Sequence, residues 1–102
     1  MSNAATRIEH LPAHHRFVAR LPEGDAVLSY RVTSSGAWDI RSTYVPLLAR
    51  GHGTGGALVH AALTHARAEG RRVIPTCWFV GSWAAEHPEF LDLLIRGPSA
   101  AS

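Results

Sequence analysis

Arg50-Gly51-His52-Gly53-Thr54-Gly55-Gly56 sets four glycines within six positions, between a segment that alternates with period two and a segment with helical spacing. Glycine lets a backbone approach a ligand closely and turn several N–H groups toward it. At a helix N-terminus those N–H groups have no intrahelical acceptor, and the helix dipole adds partial positive charge. A strand, this glycine segment and a helix in succession therefore predict an anion site, with phosphate as its natural guest.

Working outward, three stretches before the segment alternate apolar and polar side chains. His15 to Leu21 puts Phe17, Ala19 and Leu21 on one face, and Ala26 to Thr33 does the same with Leu28, Tyr30 and Val32. Ala37 to Val45 puts Trp38, Ile40, Ser42 and Tyr44 opposite Asp39, Arg41, Thr43 and Val45. Pro22-Glu23-Gly24-Asp25 and Ser34-Ser35-Gly36 separate them with turn chemistry, so the expected arrangement is an antiparallel meander. After the glycines, Thr54 to Glu69 carries Leu58, Ala61, Ala62, His65 and Ala66 at helical spacing, and Gly70 is a natural stop. Arg72 to Val80 reads as another strand, parallel to the third because a crossover helix joins them. Pro75 removes a ladder donor there and predicts a splay. Ser82 to Glu86 and Pro88 to Ile95 read as two short helical pieces. The expected fold is α+β, a mixed sheet in the order β-β-β-α-β-α with a splayed parallel pair. Residues 1–12 are expected to be a flexible leader and residues 96–102 a disordered tail.

Composition narrows the ligand. The 102 residues suit one domain with one modest core, and 46% are hydrophobic. The net charge is only +2, and all ten basic residues are scattered arginines rather than a stripe interleaved with aromatics, which argues against nucleic acid. Arginine in place of lysine, with abundant alanine, suggests a GC-rich bacterial source. A lone cysteine, Cys77, forbids an intrachain disulfide. With no signal-like leader and no run of membrane-spanning length, the expectation is a cytoplasmic protein that does not engage a membrane. The seven histidines show no ligand spacing, so no metal is expected: His14 and His15 are adjacent on a strand, and His60 and His65 do not share a helix face well.

Among phosphate-binding loops, the Walker pattern fails for want of a lysine. The dinucleotide pattern G-x-G-x-x-G fits Gly51, Gly53 and Gly56 formally, but Pro46 to Arg50 intervenes after an antiparallel strand. The acidic ribose ligand is also missing from the Ile74-Pro75-Thr76-Cys77-Trp78 region where it should fall.

Arg50-Gly51-His52-Gly53-Thr54-Gly55 does match the pattern [QR]-x-x-G-x-[GA], and here the chain resembles the GNAT superfamily of acetyl-CoA-dependent N-acetyltransferases. Thr43-Tyr44-Val45-Pro46, Val73-Ile74-Pro75-Thr76-Cys77-Trp78 and His87-Pro88-Glu89-Phe90 extend the resemblance to a compact stand-alone branch, over a domain of residues 13–95. The resemblance implies acetyl transfer from acetyl-CoA to an amine. It implies cofactor contacts from Tyr44, Val45 and Pro46 along the pantetheine, from Arg50, Gly51, His52, Gly53, Thr54, Gly55 and Gly56 at the pyrophosphate, and from His87. It makes Cys77 a candidate catalytic residue, the other reading being a structural cysteine. A histidine often precedes the strand threonine in that branch, and Ser42 stands there in this chain. The alternative function is a non-catalytic acyl-CoA-binding or sensing module. The acceptor and the oligomeric state are not legible.

Overall fold

The computed structural model describes residues 7–95. Five strands follow one another across a single sheet: β1 (Ile8–Leu11), β2 (Arg16–Leu21), β3 (Gly24–Val32), β4 (Trp38–Tyr44) and β5 (Val73–Ile74). β1 to β4 are antiparallel neighbours, and β5 joins β4 in parallel after the crossover helix α1 (Thr54–Ala68). Helix α2 (Trp78–Ala85) and a 3-10 segment (Pro88–Leu93) complete the described chain. The mixed sheet and the parallel β4–β5 pair agree with the expected class. The core lies between the sheet and α1, where Phe17, Leu28, Ile40, Leu58, Val59, Leu63 and Val73 are fully buried. Among the described residues, no helix is long and apolar enough to cross a membrane.

Helix α1 ends as its sequence dictates. Gly70 takes a left-handed conformation at φ +71°. The Gly70 N–H donates to the Arg67 carbonyl at 3.1 Å and the Arg71 N–H to the Ala66 carbonyl at 2.8 Å, a Schellman closure. The Arg67 guanidinium donates to Asp92 Oδ1 at 2.8 Å and to the Glu89 carbonyl, tying the 3-10 segment to the helix. That hydrogen bond holds the Asp92 carboxyl below the usual carboxylate range.

Four expectations are corrected. First, residues 8–11 of the supposed flexible leader form a strand that pairs with Arg16–Ala19. The Ile8 side chain packs against the core, and the His10 ring stacks on Phe17 at 4.2 Å and meets the Tyr30 hydroxyl at 2.7 Å. The disordered tail expected at residues 96–102 lies outside the described residues. Second, the strand expected over residues 72–80 stops at Ile74, and Trp78 opens a helix. Pro75 ends the ladder. Trp78 to Ala85 then brings Phe79 and Trp83 onto Gly55 and Gly56 of α1 while Val80 and Ala84 enter the interior, an i, i+4 pattern hidden inside a short apolar run. Third, β4 does not keep its alternation. Ser29 opposes Ser42 but Tyr30 opposes Ile40, so Arg41 is an extra residue in a β-bulge. Past the bulge Thr43 pairs with buried Leu28 and joins the Ile40 face, while Arg41 and Ser42 are both exposed. Fourth, His14 and His15 are not a strand pair. His14 ends a 3-10 turn and His15 is left-handed at φ 54°. Among the described residues, no group of three or more His, Cys, Asp or Glu side chains could hold a metal.

The β1 junction titrates. Burial first, and the neighbouring His65 second, hold His10 below its ordinary value of 6.5. Glu69 acts the other way, His15 adds a smaller lowering contribution, and the Tyr30 hydroxyl shares a hydrogen bond with the ring. A lowered histidine pKa in the folded state means that the unfolded chain binds the proton better. Stability is then complete above about 6.5 and falls as pH drops below it. The melting temperature should fall between pH 7.5 and 5, and His10→Phe, which keeps the ring stack but cannot titrate, should flatten that slope. An unchanged slope in the variant would remove His10 from this account.

Candidate functional site

The divergence of β4 and β5 creates a cleft with a volume of about 420 Å³. The two strands pair only at Trp38–Val73 and Asp39–Ile74. Pro75 then turns the chain away, and the Cys77 N–H ties its backbone back to β4 by donating to the Ile40 carbonyl at 2.8 Å. One wall of the cleft is the end of β4 at Thr43, Tyr44 and Val45, and the other is Cys77, Trp78 and Phe79. Its third side is the glycine segment, from Arg50 to Gly56.

The glycines divide into two kinds. Gly51 and Gly53 have φ of +90° and +81°, and an added Cβ at either would meet nothing within 4 Å. These two are required by backbone conformation, because L side chains rarely adopt that region. A Cβ on Gly55 would lie 3.2 Å from Phe79, and one on Gly56 2.9 Å from Trp83 Nε1, so these two let α2 dock closely on α1. Gly53 caps α1 with no side-chain hydrogen bond, and the first turn carries no acidic residue. The first helix-closing bond is that of the Ala57 N–H to the Gly53 carbonyl at 3.0 Å. Among the described residues, the amides of Thr54, Gly55 and Gly56 therefore have no backbone partner, and all three residues line the cleft. This donor set fits a diphosphate.

The other candidates are placed unequally. Arg50 lines the cleft, with its Nε donating to the Val45 carbonyl at 2.9 Å, so one arm of the guanidinium braces the end of β4. The Pro46 carbonyl accepts the Ala49 N–H, and Pro46 itself is buried. His52 faces a separate shallow groove with Leu21 and Glu23. His87 is not brought to the cleft. Its Nδ1 meets the Trp83 carbonyl at 2.7 Å and its ring stacks on Trp83 at 3.6 Å, which makes it a terminator of α2.

Cys77 is half-buried in the cleft wall, and its thiol donates to Thr43 Oγ1 at 3.7 Å. Thr43 as the thiol's partner was not legible in the sequence, because strict alternation assigns it to the face opposite Ile40 and only the bulge at Arg41 reverses that. The same bulge explains Ser42. Residue 42 pairs with Ser29 on the exposed face, so a histidine there would not sit beside the Cys77 thiol. Trp78 and Tyr44 line the cleft with 77% and 54% of their surfaces exposed. Among the described residues, no lining side chain is Asp, Glu or His.

Comparison with known proteins agrees with this architecture. The family model for the GCN5-related N-acetyl-transferase matches residues 16–93. Protein NATD1 of Bos taurus is 33% identical over 92 residues, covering 86% of this chain and 81% of its own length. Protein NATD1 of Homo sapiens is 32% identical over the same shares of each chain. Protein NATD1 of Xenopus tropicalis is 30% identical over 96 residues, covering 90% of this chain and 88% of its own. These relatives are animal proteins, whereas the composition had suggested a bacterial source. A splayed parallel pair, a glycine turn opening a helix and a family match over most of the described chain converge, and the chain belongs to the GCN5-related N-acetyltransferase family.

Proposed function

We propose that the protein transfers the acetyl group of acetyl-CoA to an amine. The observation that carries this reading is the continuity of the β4–β5 cleft with the unpartnered amides at the start of α1. The amides of Gly51 to Gly56 and the helix dipole take the pyrophosphate, and the free arm of Arg50 lies beside it. The pantetheine runs along Tyr44 and Val45 in the splay and delivers the thioester toward Cys77. The amine nitrogen attacks the thioester carbonyl, a C–N bond forms, and the C–S bond breaks. The Cys77 thiol gives its proton to the departing sulfur and recovers one from the new ammonium nitrogen, so the net proton passes from amine to CoA. Most of the rate enhancement then comes from holding the two reactants together.

Calorimetry with acetyl-CoA, CoA and NAD tests the site, and thiol release over an amine panel tests turnover. Binding of acetyl-CoA and CoA, but not NAD, is expected. NAD binding without acetyl-CoA binding would end this reading. Cys77→Ala should bind acetyl-CoA about as well as the parent and turn over roughly a hundredfold more slowly, the scale of a lost proton-transfer group. A wild-type chain that gains one acetyl mass at Cys77 during turnover would instead make the thiol a covalent carrier.

A second reading is a non-catalytic acyl-CoA-binding or sensing module. The lack of Asp, Glu and His among the described lining residues favours it. Tight binding with no thiol release from any amine would establish it.

A further inference from the structure

We infer that the acceptor is a weakly basic aromatic amine, uncharged at neutral pH and seated against Trp78 and Tyr44. This inference rests on the acetyl-CoA reading and deepens it.

The first observation is the acid–base character of the cleft. A primary alkylamine with a pKa near that of lysine, about 10.4, leaves only about one molecule in a few thousand neutral at pH 7. An enzyme that uses such amines normally supplies a base to strip the proton. Among the described residues, no carboxylate or imidazole lines this cleft. Asp39 is the acidic group that comes near, since it hydrogen-bonds the hydroxyl of Thr76, next to Cys77. It is also paired with Arg41 at 3.3 Å, and it lies outside the lining. An amine whose lone pair is delocalised into a ring is neutral without help and needs no base before attack.

The second observation is charge. Arg50 is the one charged side chain among the described lining residues. No acidic side chain among the described lining residues offers a polyamine or a basic peptide a counter-charge. The third is the apolar character of the walls. Trp78 opens α2 beside Cys77, and Tyr44 stands at the end of the opposite wall, each with more than half its surface in water. Leu47 and Leu48, just past Tyr44, are more exposed still or comparably so. Exposed rings lining the same cleft as Cys77 offer stacking area to a flat apolar acceptor. The transfer itself needs no further reactant: the amine nitrogen gains the acetyl group, the thioester C–S bond breaks, and the amine's proton ends on CoA.

Two isomeric amines separate basicity from size. Initial rates at pH 7 with saturating acetyl-CoA should favour 4-methylaniline over benzylamine by at least tenfold in kcat/KM, with spermidine slower again. Between pH 6 and 8 the rate with benzylamine should rise about tenfold per unit, following its neutral fraction, while that with 4-methylaniline stays flat. Trp78→Ala should raise KM for 4-methylaniline about tenfold with a smaller change in kcat, and Trp78→Phe should restore most of it. Preference for spermidine or benzylamine at pH 7, or an unaltered KM in Trp78→Ala, would overturn the inference while leaving the acetyltransferase reading intact. Turnover of no aromatic amine by a chain that binds acetyl-CoA would also overturn it. Failure to bind acetyl-CoA in calorimetry would instead remove the reading on which it rests.

Discussion

Replacing Gly51 and Gly53 together by alanine should weaken acetyl-CoA binding about thirtyfold or more while leaving a folded protein. Both positions have φ near +80° to +90°, and neither faces an atom that a methyl group would strike. The cost is therefore conformational, about 1–2 kcal/mol for each L residue held in the left-handed region. The free variant sheds that cost by relaxing the loop, so its amides are realigned at the expense of binding. The two positions together then take about 2–4 kcal/mol from the affinity, and each 1.4 kcal/mol is tenfold. Gly70→Ala is the matched control. It carries the same kind of strain at φ +71°, also with open space around it, but at the far end of α1. It should lower the melting temperature and leave acetyl-CoA binding alone. Equal affinity losses in the control and the double variant would make the effect one of general stability, and wild-type affinity in the double variant would refute the amide cradle.

Much of the architecture was legible because it is set by local chemistry. Strand periodicity, the turns at Pro22-Glu23 and Ser34-Ser35-Gly36, and Gly70 as a helix stop are each decided within a few residues of chain. The glycine segment was legible as a turn opening a helix, but its internal division was not. The need for glycine at Gly55 and Gly56 comes from Phe79 and Trp83, more than twenty residues away. The register of β4 was hidden for a similar reason. Nothing in Ile40-Arg41-Ser42-Thr43 marks a bulge, and the extra residue is visible only against β3. That one residue decides which of Ser42 and Thr43 neighbours Cys77, so it alters the chemistry assigned to the cleft. His87 was misplaced because His-Pro next to a helix fits both a ligand contact and a helix terminator. The local i, i+4 stack of His87 on Trp83 selected the terminator. Short apolar runs carry little periodic information, which is why Val73 to Val80 hid the change from strand to helix at Pro75.

Removing residues 1–11 should destabilise the domain by about 3–5 kcal/mol, a large share of the usual 5–15 kcal/mol for a folded domain. A sequence reading in which residues 1–12 are a loose leader expects no change. The structure argues otherwise on three counts. β1 pairs along its whole length with β2, so its loss turns β2 into an open edge. Ile8 leaves its contact with the core, at a cost set by the apolar area exposed. His10 leaves the face of Phe17 and the hydroxyl of Tyr30, which uncovers a phenylalanine that is fully buried in the complete chain. The family match begins at residue 16, so this strand is support that the match itself does not include. Its influence on the cleft is indirect: β1 holds β2, β2 holds β3, and β3 fixes the register of the bulged strand that carries Thr43 and Tyr44. Urea unfolding of the full chain and of the form lacking residues 1–11 measures the effect. His10→Ala should recover a substantial part of it, since the ring is the main side-chain link between β1 and the aromatic cluster. Midpoints that coincide for all three proteins would return residues 8–11 to the status of a dispensable leader, and with it the view that four strands alone hold the cleft open.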